Sequence, residues 1–128
     1  MLDHVILAAS DVDRSLAFYD KTLAPLGISH AVDFDGAAGP EGHPDLKGYS
    51  DGNRYLFWLR EGAGVAGTVR IGFAAASREL VDAAYAAAIA SGGTDDGAPG
   101  DRVYYGPGYY AANVLDPDGY SLEFVCRG

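Results

Sequence analysis

A single cysteine, Cys126, is all that the 128 residues contain, so no disulfide can close within the chain. That scarcity fits a reducing compartment, and Cys126 itself reads as a small apolar residue near the end of a strand. Basic residues are also few: nine Lys and Arg stand against eighteen Asp and Glu, a formal net charge of −9. Nucleic-acid binding needs clustered cations facing phosphates, and anionic membrane surfaces need the same, so both partners are excluded. The acidity that remains keeps a protein soluble and steers cationic ligands toward it. No run approaches 18 consecutive apolar residues, which excludes a membrane-spanning helix. Met1 to Val5 carries neither a basic leader nor a cleavage signal, and the expectation is a cytoplasmic protein.

What is present is enough apolar sequence for a core, 48% of residues, in a chain of one domain's length. His4–Ala9 alternates as a strand. Ser10, Asp11 and Asp13 offer capping oxygens to a helix whose Leu16, Phe18, Tyr19 and Leu23 recur at helical spacing until Pro25 and Gly27 end it. A weaker strand over Ser29–Phe34 and a Gly/Pro-rich loop from 36 to 44 follow. Leu46–Ser50 and Arg54–Leu59 then form a hairpin over Asp51-Gly52-Asn53. After the connector 62–67 the pattern restarts. Val69–Ala75 reads as a strand, Ser77 as the cap of a helix with Leu80, Val81, Ala84, Ala88 and Ile89 as its apolar stripe, and Gly92-Gly93 as its stop. Residues 95–108, rich in Gly and Pro, read as loop. Tyr109–Leu115 and Tyr120–Cys126 are the last strands, joined by Asp116-Pro117-Asp118-Gly119. A shift of 66 positions lays Tyr19 on Tyr85, Gly27 on Gly93 and the cap Asp11 on the cap Ser77. One unit is repeated, with halves at about 1–61 and 67–128.

Three segments carry a likeness: Asp3-His4-Val5-Ile6-Leu7, the run Ser10 to Tyr19, and Asp116-Pro117-Asp118-Gly119-Tyr120-Ser121-Leu122-Glu123. In this order and spacing the chain resembles the vicinal-oxygen-chelate superfamily of glyoxalases, bleomycin-resistance proteins and extradiol dioxygenases. The resemblance implies an α+β fold: two βαβββ modules forming a curled mixed sheet around a cup, with helices outside. It implies a small organic ligand in that cup and a homodimer. Val5, Leu7, Ile71 and Phe73 then face the helices. His4, Ile6, Arg70, Gly72, Ser121 and Glu123 face the cup, where Ala8, Gly72 and Ala74 leave room for a ligand.

Metal-using members of the superfamily hold a divalent ion on the first and last strands of both modules. His4 and Glu123 match two of those ligand positions. Arg70 falls on the third, and the fourth falls on Phe57 or Trp58, neither of which can bind a cation. His30 and His43 lie outside the family positions. A catalytic divalent site needs about three protein ligands, so the reading favoured here has no metal cofactor; the alternative is Zn, Ni, Fe or Mn on His4 and Glu123. In the favoured reading Arg70 replaces the metal's charge and pairs with Glu123 across the cup. Trp58, Tyr104, Tyr110, Arg70 and Asn113 are the expected ligand contacts, because tyrosine and tryptophan present flat apolar faces with a polar handle. Two functions follow: a metal-free binding protein of the bleomycin-resistance type, or a divalent-metal lyase, isomerase or dioxygenase. A third use of His4 and Glu123 is metal-independent acid–base catalysis.

Overall fold

A computed structural model describes residues 1–128, and the repeated unit of the sequence is repeated in space. The first module runs β1 (Val5–Ala9), α1 (Val12–Leu23), β2 (Ser29–Phe34), β3 (Leu46–Ser50) and β4 (Tyr55–Glu61). The second runs β5 (Arg70–Ala74), α2 (Arg78–Ala90), β6 (Thr94–Asp101), β7 (Tyr109–Leu115) and β8 (Ser121–Arg127). Each module makes a four-stranded mixed sheet, in the orders β1-β4-β3-β2 and β5-β8-β7-β6. Within each, the first and last strands pair in parallel and the others antiparallel. The ladder does not pass from β1 to β5, so the expected mixed sheet is two halves side by side, and neither closes into a barrel.

Both helices begin where side-chain oxygens meet free backbone N–H groups. Asp11 accepts from the Arg14 N–H at 3.1 Å and Ser77 from the Leu80 N–H at 3.2 Å, each cap satisfying a donor the helix cannot pair internally. The helices pack on each other and on one face of the sheets. α2 buries Val81, Ala84 and Ala88, whereas Ile89, expected on the same stripe, is 39% exposed. Strand alternation sends Leu7, Phe57, Leu59, Phe73, Leu122 and Phe124 into the core beneath the helices. One aromatic chain crosses the module boundary, from Tyr19 to Phe57 (4.8 Å between centroids), Phe57 to Phe73 (5.8 Å) and Phe73 to Phe124 (6.5 Å). Contacts of this kind contribute about 0.5–1.5 kcal/mol each beyond their buried area.

The residues that looked like loop at 95–101 form β6, an edge strand. Its pairing with β7 slips register twice, around Gly97. Edge strands and bulges tolerate the Gly and Pro that a central strand would reject, which is why composition alone misread this segment.

A second link between the modules is polar. The Tyr19 hydroxyl donates to Asp116 at 2.5 Å, and the same carboxylate accepts the N–H groups of Asp118 (2.8 Å) and Tyr120 (3.0 Å). Tyr19 is fully buried, and burial, followed by the charge of Asp116, raises its pKa well above that of an ordinary tyrosine. Burial likewise raises the Asp116 carboxyl, against the pull of its three donors. Next along the turn, Asp118 accepts the Ser10 hydroxyl at 2.5 Å and lies 3.7 Å from the Arg14 guanidinium. Gly119 completes the turn at φ +85°, where a Cβ would also come within 2.7 Å of Ala66.

Tyr19→Phe leaves a buried carboxylate short of one donor and is expected to cost about 1–3 kcal/mol. Tyr85→Phe, the same change at the repeat-related site, removes only an exposed bond to Asp95 and is expected to cost within about 0.5 kcal/mol. Urea unfolding midpoints of the two variants measure the difference.

Candidate functional site

The faces of the sheets turned away from the helices carry the residues with chemical potential, and register decides which of them meet. On β8, Glu123 lies beside Asn113 of β7 and Gly72 of β5. On β5, Arg70 lies beside Ser121. Arg70, Asn113 and Glu123 share a polar hollow of about 520 Å³ with Asp96, Arg102, Tyr104 and Tyr105. The structure therefore brings together four of the expected site residues: Arg70, Tyr104, Asn113 and Glu123.

Glu123 is 9% exposed and is held by neutral donors. The Tyr109 hydroxyl donates to one carboxylate oxygen, and Asn113 Nδ2 donates to the other at 3.3 Å. The expected Arg70–Glu123 ion pair is not formed. Arg70 instead donates from Nε to the Ser121 hydroxyl at 3.1 Å, because its nearest cross-strand neighbour is Ser121 and its exposed side chain has no burial forcing it toward the carboxylate. At the mouth, Tyr104, Tyr105 and Tyr109 form a run of tilted rings, 4.7 and 5.1 Å apart. The Arg127 guanidinium covers the outer face of Tyr109 at 5.1 Å. Tyr104 is 73% exposed, leaving its ring open to a ligand.

The remaining expected residues lie elsewhere. His4, just ahead of β1, borders a largely apolar hollow of about 380 Å³ between the modules, with Leu56, Ile71 and Gly72. His4 and Glu123 thus line different hollows, with Gly72 of β5, the ladder neighbour of Glu123, bordering that of His4. Asp3 holds His4 Nδ1 at 2.6 Å. Trp58 is on the same face as His4, while Phe57 is fully buried in the core, which settles which of the two leaves the core. The Trp58 indole lies over Gly48, where a Cβ would come within 2.6 Å of its ring. Tyr110 is a correction: alternation on β7 puts it on the helix side, where its hydroxyl donates to Asp82 at 2.6 Å and the Arg78 guanidinium sits 4.9 Å from its ring. It does not line the hollow.

Tyr109, which donates to Glu123, and Arg102, which lines the hollow, were not read from the sequence as site residues. Tyr109 was read as the first residue of a strand and not as the partner of Glu123; its offset from Tyr110 by one strand position was the available signal. Arg102 was hidden in a segment read as loop. No three His, Cys, Asp or Glu side chains converge anywhere in the chain as a metal-ligand group, and of the donors at the family positions, His4 and Glu123 are the only two with ligand chemistry. Within one chain that is one ligand fewer than the roughly three protein ligands of a catalytic divalent site.

The bond to Glu123 is the main cause that raises the Tyr109 pKa above its ordinary 10.0, with desolvation second. A phenol whose folded pKa exceeds its unfolded value holds its proton more tightly when folded, so its contribution to stability is lost as pH climbs past about 10. In Glu123→Gln the Tyr109 midpoint is expected to fall back toward 10.0 and the alkaline loss of stability to shrink; ultraviolet titration of tyrosinate, compared with Tyr109→Phe, measures it.

The family model for the glyoxalase/bleomycin resistance protein/dioxygenase superfamily matches residues 1–124. Among solved structures the chain is similar to a glyoxalase/bleomycin resistance protein from Albidiferax ferrireducens T118, with 29% identity, a TM-score of 0.77 and 98% of each chain covered. It is similar in fold to a genomically encoded fosfomycin resistance protein from Listeria monocytogenes, at 18% identity and a TM-score of 0.68 over 98% of this chain and 91% of that one. The trypanothione-dependent glyoxalase I of Leishmania major shares the fold at 20% identity and a TM-score of 0.66, over 99% and 86% of the two chains. A search of curated proteins returned no match. The match over nearly the whole length agrees with the repeated module and the order of its strands: the chain belongs to the glyoxalase/bleomycin resistance protein/dioxygenase superfamily.

Proposed function

We propose that this protein binds a small organic molecule in the polar hollow bounded by Glu123, Asn113 and Arg70, with Tyr104 and Tyr105 closing over it, and does so without a resident metal. The observation that carries the reading is the setting of Glu123. Where the family's ligand geometry would put a carboxylate on a cation, this carboxylate is occupied by a phenol and a side-chain amide. Arg70, which cannot give up its proton, stands at the neighbouring family position. A buried carboxylate with two neutral donors retains lone pairs for a hydroxyl or amine of a ligand, and the exposed tyrosine faces suit a planar or sugar-like body.

The alternative, a divalent-metal lyase, isomerase or dioxygenase, is favoured by one observation. Asp3 engages Nδ1 of His4, the arrangement that orients metal-ligating imidazoles and leaves Nε2 free. In either reading the protein is a homodimer, supported by the exposure of Ile6 (43%) and Tyr55 (47%) beside Trp58, apolar surface that a second copy would cover.

Elemental analysis of protein purified without chelator decides between the two readings. Sub-stoichiometric divalent metal, with no loss after chelation of the ligand binding followed by tyrosine fluorescence, is the expected outcome. One equivalent of metal that depends on His4 and Glu123 supports the alternative. Light scattering is expected to give twice the 13.4 kDa chain mass.

A further inference from the structure

Arg70, at the start of β5, and Arg102, in the connection from β6 to β7, line the same hollow, and each is oriented by uncharged oxygens. Arg70 donates Nε to the Ser121 hydroxyl. Arg102 donates Nη2 to the carbonyl of Ala98 at 3.0 Å and, more weakly, to that of Gly97 at 3.5 Å. Its guanidinium lies against the glycine stretch of β6, where a Cβ on Gly97 or Gly100 would come within 3.2 or 3.3 Å of it. A chain with twice as many acids as bases has carboxylates to spare, yet neither guanidinium forms an ion pair; the paired cations Arg14, Lys47 and Arg78 lie elsewhere. Of the two acids at the hollow, Glu123 is screened by Tyr109 and Asn113, and Asp96 is exposed at the rim.

A guanidinium held by neutral acceptors keeps its full charge and several free N–H donors in a fixed plane, the condition for forked binding of a carboxylate, phosphate or phosphonate. From this we propose that the ligand of the hollow is a small organic oxyanion. Its acid group is clasped between Arg70 and Arg102, its body lies on Tyr104 and Tyr105, and a hydroxyl or amine on it donates to Glu123. The chain's net charge of −9 points instead to cationic ligands, but it describes the surface as a whole, and local charge at the hollow decides recognition. The inference rests on the binding reading above and narrows it to a ligand class. It also makes Arg102 a specificity-determining residue.

Benzoate, phenyl phosphate and phenylphosphonate, with benzyl alcohol and benzylamine as neutral and cationic counterparts of similar shape, test it at constant ionic strength, read by the amide spectrum of the isotope-labelled full chain. The anions are expected to shift residues 97–102 and 121–123 saturably, and benzylamine is not. Arg70→Ala and Arg102→Ala should each weaken the best anion by about tenfold or more, with the other residues' spectra unchanged. Arg102→Lys, which keeps the charge but not the fork, should weaken it nearly as much. Preference among the three anions identifies the acid group. Benzylamine or benzyl alcohol binding at those residues as tightly as the anions would overturn the oxyanion assignment while leaving the binding site in place. Anion affinity unchanged in both alanine variants would do the same. If none of the five compounds perturbs the hollow, the oxyanion assignment and the binding reading fall together.

Discussion

Two carboxylates of one turn hold the halves of this molecule in their relative places. Asp116 reaches the hydroxyl of Tyr19, and Asp118 reaches Ser10 and Arg14, so the β7–β8 turn of the second module is fastened to the first helix of the other. The Tyr19–Asp116 bond is sheltered from the screening that weakens surface ion pairs, since both residues are buried, whereas Asp118 meets Ser10 and Arg14 at the surface. The aromatic chain from Tyr19 to Phe124 runs just beneath the same seam. Apolar contact supplies most of the cohesion there, while the directional bonds select one arrangement among the many that greasy surfaces would tolerate.

This division of labour explains what could and could not be read in advance. The segments that carry the family likeness, Ser10 to Tyr19 and Asp116 to Glu123, turn out to be largely the fastening between modules. A strand–helix pattern, two caps and a rigid turn are local features with local signatures, so architecture was legible. Face assignments on β1, β5 and β8 followed from simple alternation. β6 was not legible, because a bulged edge strand of Thr, Asp, Gly and Pro is indistinguishable by composition from a loop. Tyr110 failed for a subtler reason: two adjacent tyrosines on β7 must face opposite ways, and only the pairing register tells which one meets the cup.

The candidate site was legible in membership more than in wiring. Arg70, Asn113, Tyr104 and Glu123 do gather at one hollow. Which partner each takes depends on side-chain reach and on competing donors a strand away, and nothing in a linear sequence states that Tyr109 stands closer to Glu123 than any guanidinium does. The missing ligand residues at the family positions were visible from the start, whereas the separation of His4 from Glu123 needed three dimensions. A family can thus be plain from its fastenings while its chemistry stays private to a few neighbours.

The irregular course of β6 has a consequence for the protein in a crowded solution. A straight outer strand offers an open row of amide and carbonyl groups on which another chain can build, the first step toward fibres. Here the outer rim of the second sheet is interrupted at Gly97, lacks an amide proton at Pro99, and carries Asp95, Asp96 and Asp101 in quick succession. A wandering chain that docked there would meet gaps and like charge instead of a template. The feature that makes room for Arg102 at the hollow thereby also discourages uncontrolled growth of the sheet.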